Sequence, residues 1–96
     1  MEKKVTLPYE AGSLLRSKEN EKDIIKVCSY TIDNNSNIMV GINNLKDQVY
    51  ENVRLMPLEE LKDKYEYTHI VMVGNKKYFD NGISLVNYEE TKNKQL

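Results

Sequence analysis

Residues 23–42 constrain this chain more than any other stretch. Residues 23–33 carry Ile24, Ile25, Val27, Tyr30, Thr31 and Ile32, Asn34 to Asn37 are all turn formers, and residues 38–42 resume with Ile38, Met39, Val40, Gly41 and Ile42. β-branched and aromatic residues on both sides of a polar tetrad predict a β-hairpin. In its second arm Ile38, Val40 and Ile42 recur at period two and are expected to face a core, with Met39 and Gly41 on the other side. Gly41 inside a strand marks a bulge or a close backbone approach.

With 96 residues there is room for one core. A hydrophobic fraction of 40% and a charged fraction of 30% predict a folded chain rather than a disordered one. The expected layout is a single β-rich domain over residues 1–88 and a frayed polar tail over residues 89–96. Fourteen basic against fifteen acidic side chains give a net charge of −1, so no global field selects polyanions or anionic lipid. The longest apolar runs, such as Ile70 to Val73, fall far short of the roughly 20 residues that span a bilayer. No apolar stretch follows the first four residues as a signal peptide requires. A single cysteine, Cys28, fits a reducing compartment, and cytoplasmic location is the expectation. Abundant Asn, Lys, Ile and Tyr without Trp suggest an AT-rich coding source, a low-GC bacterium or one of its phages or plasmids.

Around the hairpin the pattern is legible in pieces. The first dozen residues lack a sustained period and read as an extended arm. Residues 12–16 look like a short Gly-led strand, and residues 17–22 like a charged, solvated loop. Residues 43–48 read as a turn. Val49, Glu51, Val53 and Leu55 then alternate with Tyr50, Asn52, Arg54 and Met56, a further strand, with Val53 and Leu55 expected in the core beside Ile38, Val40 and Ile42. Pro57 suits the first position of a helical turn, Glu59 and Glu60 suit its positive end, and Leu58, Leu61 and Tyr65 share a face, predicting a short helix over residues 57–65. Residues 67–73 read as a strand, residues 74–76 as a tight turn and residues 77–79 as its partner. Residues 80–82 form another turn before a last strand at 83–88.

A Gly-led strand at residues 12–16, a charged loop, a long hairpin, a fourth strand and a short helix at residues 57–61 before another strand resemble the small SH3-like barrels of low-GC phages and mobile elements. The resemblance covers about residues 12–73 and rests on pattern. It implies a mainly β fold, a small antiparallel SH3-like or split barrel with one short helix lying across its open end. Residues 74–88 add a C-terminal hairpin.

Few residues offer chemistry. Cys28 and His69 could generate a thiolate if their strands brought them together, but a lone cysteine in a strand and a lone histidine on a sheet surface are more often structural, and three metal ligands cannot be assembled around them without carboxylates. Asp33, Asn35 and Asn37 have the spacing of a calcium loop, yet its sixth position is Ile38 rather than Gly and its twelfth is Asn44 rather than Glu, so they read as turn formers. The acidic groups Glu19, Glu21, Asp23 and Glu59, Glu60, Asp63 are interleaved with lysine as on solvated faces. The expectation is a protein that is not an enzyme and uses no cofactor or metal.

Seven tyrosines against one Phe suit either an interface or a sheet rim. The local basic and aromatic cluster is Lys76, Lys77, Tyr78 and Phe79. These four residues, with Tyr50, are the candidate partner-binding positions. The expected function is protein–protein binding, in a phage or mobile-element setting the modulation or inhibition of a host protein such as a defence nuclease. The alternative is an accessory nucleic-acid-binding barrel.

Overall fold

The structure, a computed structural model, describes residues 7–45 and 53–87. Seven antiparallel strands and one helix follow in the order β1 (Ser13–Ser17), β2 (Ile24–Ile32), β3 (Ile38–Asn44), β4 (Arg54–Pro57), α1 (Leu58–Lys64), β5 (Tyr65–Val73), β6 (Lys76–Asp80) and β7 (Leu85–Asn87). They form one sheet in the order β4-β3-β2-β1-β5-β6-β7. The expected mainly β architecture with one short helix and an added hairpin is present. The sheet has two edges, β4 and β7, and is not closed into a barrel.

The predicted hairpin is β2 and β3, in register from Ile32 opposite Ile38 to Ile25 opposite Asn44. The Asp33 carboxylate closes its turn, accepting from the backbone N–H of Asn35 at 2.9 Å and of Asn37 at 2.8 Å, while Ser36 takes a positive φ of 64°. Those bonds, from Asn37 first, hold the Asp33 carboxyl below its ordinary range. The turn-former reading of this stretch therefore holds. The register shifts opposite Gly41, between Val27 and Ser29, and a Cβ at Gly41 would lie 2.6 Å from Ser29 Oγ. Both the bulge and the close approach expected of that glycine occur.

Helix α1 sets the curvature of the sheet. It follows β4 directly and leads directly into β5, although β3, β2 and β1 lie between those strands. Seven helical residues span only about 10 Å, while four strand spacings amount to about 19 Å, so the sheet must curl around the helix. Leu58, Leu61 and Tyr65 face inward, as their spacing predicts, and join Leu15, Ile25, Val27, Val40 and Ile42 in the core. Pro57 precedes the helix as its N-cap residue rather than opening its first turn. Ile38, Met56, Tyr9, Tyr30 and Tyr67 close the rim of this core.

Strand β4 presents the opposite face from the one predicted. Val53 is 42% and Leu55 58% exposed, and Met56 packs on the core instead. The register puts Met56 opposite Val40 and Leu55 opposite Gly41. The phase is fixed downstream, because Leu58 must enter the core one residue after the strand ends. The predicted start of this strand at Val49 lies outside the described residues, as do Tyr50, residues 1–6 of the arm, Tyr88 and the polar tail.

Smaller boundaries also move. Strand β3 runs to Asn44, where a turn was expected, Lys76 already belongs to β6, and Ile83 lies before β7 rather than in it. Gly12 is the anchor of β1: its N–H donates to Val27 O at 2.7 Å and its carbonyl accepts from Met72 N–H at 2.8 Å. With φ at 96° and Met72 O crowding the place where a Cβ would stand, the position requires glycine.

Candidate functional site

Helix α1 covers one face of the sheet, and the other, here the outer face, is lined by side chains that the register places in rows. One row runs through Asn43, Lys26, Leu14, Ile70, Phe79 and Val86, each the cross-strand partner of the next. Lys77, opposite Met72, lies on the same face two residues from Phe79. On the other wing Leu55, opposite Gly41, and Val53, whose Cγ1 lies 3.4 Å from the Gly41 Cβ position, emerge on this face too. Leu14 is buried at the centre, whereas Phe79 is 41% and Val86 37% exposed. The wings are thus apolar and open.

Between the end of β3 and the β5–β6 turn the outer face holds a cleft of about 500 Å³, with Lys26, Asn43 and Asn44 on one side and Met72, Gly74 and Asn75 on the other. A second hollow of about 570 Å³ lies where the β2–β3 turn meets the start of α1, with Asp33 and Glu59 in its wall.

The sequence cluster Lys76, Lys77, Tyr78 and Phe79 is divided by strand alternation. Lys76 and Tyr78 share a face with Val73 and Val71, while Lys77 and Phe79 share the outer face with Met72 and Ile70. Tyr78 is half-buried and both lysines are exposed. Of the five candidate positions, then, Lys77 and Phe79 stand together on the open face, and Tyr50 lies outside the described residues. Val53, Leu55 and Val86 were not read as surface residues because an alternating Val and Leu pattern signals burial whichever face it occupies.

The five described tyrosines are buried or half-buried. Three spend their hydroxyls on structure: Tyr30 donates to Tyr9 O at 2.8 Å, Tyr65 to Asp23 Oδ2 at 3.2 Å, and Tyr67 to Asp80 Oδ2 at 2.8 Å. Burial, and then the Asp80 bond, push the Tyr67 hydroxyl up to about 12. Asp80 is held below its ordinary range by the Gly82 backbone N–H first and the Tyr67 hydroxyl second.

Cys28 and His69 do not form a pair. β1 lies between their strands, so two strand spacings, about 9–10 Å, separate the backbones. Cys28 Sγ is instead directed at Lys26 O, 3.7 Å away. His69 sits in a bulge: one step from Leu14 to Leu15 spans three on β5, from Ile70 to Tyr67. It takes a positive φ of 64°, and its ring lies 4.8 Å from that of Tyr67. Among the described residues no group of three or more His, Cys, Asp or Glu side chains is placed to hold a metal ion, and no helix is long and apolar enough to cross a membrane.

Comparison with known proteins finds no family model, no curated protein and no solved structure that matches the chain.

Proposed function

We propose that the protein is a non-catalytic binding module that engages a protein partner through the outer face of its sheet. One observation carries this reading: Phe79 and Val86, 41% and 37% exposed, are cross-strand partners on the outer face of the sheet, and Val53 and Leu55 are exposed on the same face at the opposite wing. Single exposed apolar residues are ordinary on any surface, but an adjoining exposed pair such as Phe79 and Val86 is what protein interfaces use. On the other face α1 packs against β3, β4 and β5, and Val73 and Leu85 stay exposed beyond it. The strand order β4-β3-β2-β1-β5, with a short helix between the fourth and fifth strands, supports reading the first five strands as an open SH3-like arrangement extended by β6 and β7. In a cytoplasmic phage or mobile-element setting, the partner is a host protein, a defence nuclease among the candidates.

The alternative reading, a nucleic-acid-binding sheet, is favoured by one observation, the placement of Lys77 and Phe79 on the same open face. The two readings separate by salt. Lysines that neutralise phosphates release counterions on binding, so affinity for nucleic acid falls steeply as salt rises. Titration of short single- and double-stranded DNA and RNA at about 50 and about 200 mM salt is expected to show no submicromolar complex. A submicromolar complex that collapses at the higher salt and loses its salt slope in Lys77→Ala overturns the protein-partner reading.

A further inference from the structure

We propose that the β6–β7 turn is a site of self-modification, where the backbone nitrogen of Gly82 attacks the side-chain carboxamide of Asn81, expels ammonia and leaves a succinimide that solvent water opens to aspartate or isoaspartate. The step is chemistry of the turn itself and is independent of what the outer face binds.

Asn81 and Gly82 form the only Asn-Gly step in the sequence. Asparagine is thermolabile because its carboxamide carbon lies within reach of the next backbone nitrogen, and a following glycine has no Cβ to bar the approach. Both residues are exposed, Gly82 takes a φ of 89°, and among the described residues nothing lies within 4 Å of the position a Cβ would occupy there. The turn adds contacts that bear on the reaction. Asn81 Oδ1 accepts from the backbone N–H of Ile83 at 2.9 Å and of Ser84 at 2.8 Å. The first of these bonds closes a ring that contains both the carboxamide carbon and the Gly82 nitrogen, so the two reacting atoms are held near each other. The Gly82 N–H in turn donates to Asp80 Oδ1 at 2.9 Å, and Oδ2 of the same carboxylate accepts from the Tyr67 hydroxyl at 2.8 Å, which fixes its orientation.

Each contact has a part in the step. As the bond from Gly82 N to Asn81 Cγ forms, the proton on that nitrogen passes to Asp80 Oδ1, and negative charge gathers on Asn81 Oδ1. A carboxylate within hydrogen-bond reach of the departing proton has the geometry of a general base, and two backbone N–H groups aimed at the charging oxygen act as an oxyanion hole. The tetrahedral carbon then collapses: the Cγ–Nδ2 bond breaks, the proton held by Asp80 goes to Nδ2, and ammonia leaves. Water that adds at Cγ gives aspartate, which keeps Oδ1 as an acceptor; water that adds at the main-chain carbonyl gives isoaspartate. Isoaspartate routes the main chain through Cβ and lengthens it by one atom, in a turn that sets only the pairs Asp80 with Leu85, Phe79 with Val86 and Tyr78 with Asn87. That product parts Val86 from Phe79.

The test incubates the full chain and a capped peptide of residues 78–86 side by side in neutral buffer and follows conversion at residue 81 by tandem mass spectrometry, with isoaspartate resolved from aspartate by retention. The folded chain is expected to convert at least about tenfold faster than the peptide, which is less than either an oxyanion donor or a general base typically supplies. Asp80→Asn leaves an oxygen to accept the Gly82 N–H but no base, and is expected to bring the rate close to that of the peptide. In the 15N-labelled chain the amide resonances of residues 85–87 are expected to move as isoaspartate accumulates. Conversion no faster in the chain than in the peptide, or an Asp80→Asn chain that keeps its amide spectrum and converts at the unaltered rate, would overturn the assignment. If Asp80→Asn does not fold, the comparison of the unaltered chain with the peptide decides alone. Resonances of residues 85–87 that stay in place in the isoaspartate product would overturn its effect on β7.

Discussion

The hydroxyl of Tyr30 brackets the backbone of Tyr9, accepting its N–H at 3.1 Å and donating to its carbonyl at 2.8 Å. Tyr9 belongs to the segment that enters β1, and the bracket fastens that segment to the rim of the core across 21 positions of sequence. Tyr30→Phe keeps the ring and deletes both bonds. The expected loss is about 1–2 kcal/mol, read as a lower urea midpoint with an unchanged slope. An unaltered midpoint would mean that water replaces the hydroxyl without cost.

The two faces of the β4–α1 unit differ in what they bear. Leu61 is fully buried against the sheet, so Leu61→Ala is expected to cost roughly 2–5 kcal/mol. Leu55, although its alternating strand pattern predicts burial, is 58% exposed, and Leu55→Ser is expected to change stability by less than about 0.5 kcal/mol. Thermal denaturation of the two variants decides. A large loss in Leu55→Ser would return that side chain to the core.

Much of this fold was legible in the chain, and the part that was not shows where local pattern stops. The β2–β3 hairpin, its Asp33 turn and the inward set Ile38, Val40 and Ile42 follow from period two and turn chemistry, which are local properties. Helix α1 follows in the same way from Leu58, Leu61 and Tyr65. The facing of β4 does not, because Val53, Leu55 and Met56 are apolar on both sides of the alternation and only the helix that follows decides which enters the core. The open sheet likewise depends on whether β4 and β5 meet across the helix, a long-range matter. For the site, the sequence singled out Lys77 and Phe79 as part of a contiguous cluster, but could not show that alternation parts them from Lys76 and Tyr78. Nor could it show that Val86 and Leu55 join the same face.

His69 holds a left-handed backbone conformation within a strand. A β-branched residue would be favoured by strand propensity alone but is poorly suited to positive φ. His69→Val is therefore expected to be less stable than His69→Gly by roughly 1–2 kcal/mol, the reverse of the order in an ordinary strand. Denaturation of both variants checks this, and a more stable valine variant would contradict the bulge at residues 68 and 69.

Tyr67 makes stability depend on alkaline pH. Its hydroxyl titrates near 10 in an unfolded chain and near 12 in the fold, so between those values the unfolded state has released a proton that the folded state keeps. The stabilisation is complete below pH 10 and is lost as pH rises toward 12. Tyr9, Tyr30 and Tyr65, raised chiefly by burial, act in the same direction. The urea midpoint is expected to fall above pH 10, and less steeply in Tyr67→Phe. Equal slopes would show that the Asp80 bond and burial do not hold that proton.

Binding of a protein through the outer face is tested by affinity capture from host lysate with three forms of the chain compared by quantitative mass spectrometry. These are the unaltered protein, a Leu55→Ser and Phe79→Ser double variant, and a Lys62→Ser control on the exposed side of α1, each first shown to melt cooperatively. The expected result is a protein, retained after nuclease treatment, that is recovered equally with the control and at least about tenfold less with the double variant, as loss of two interface anchors implies. Undiminished recovery with the double variant, or capture that disappears with nuclease, would contradict it.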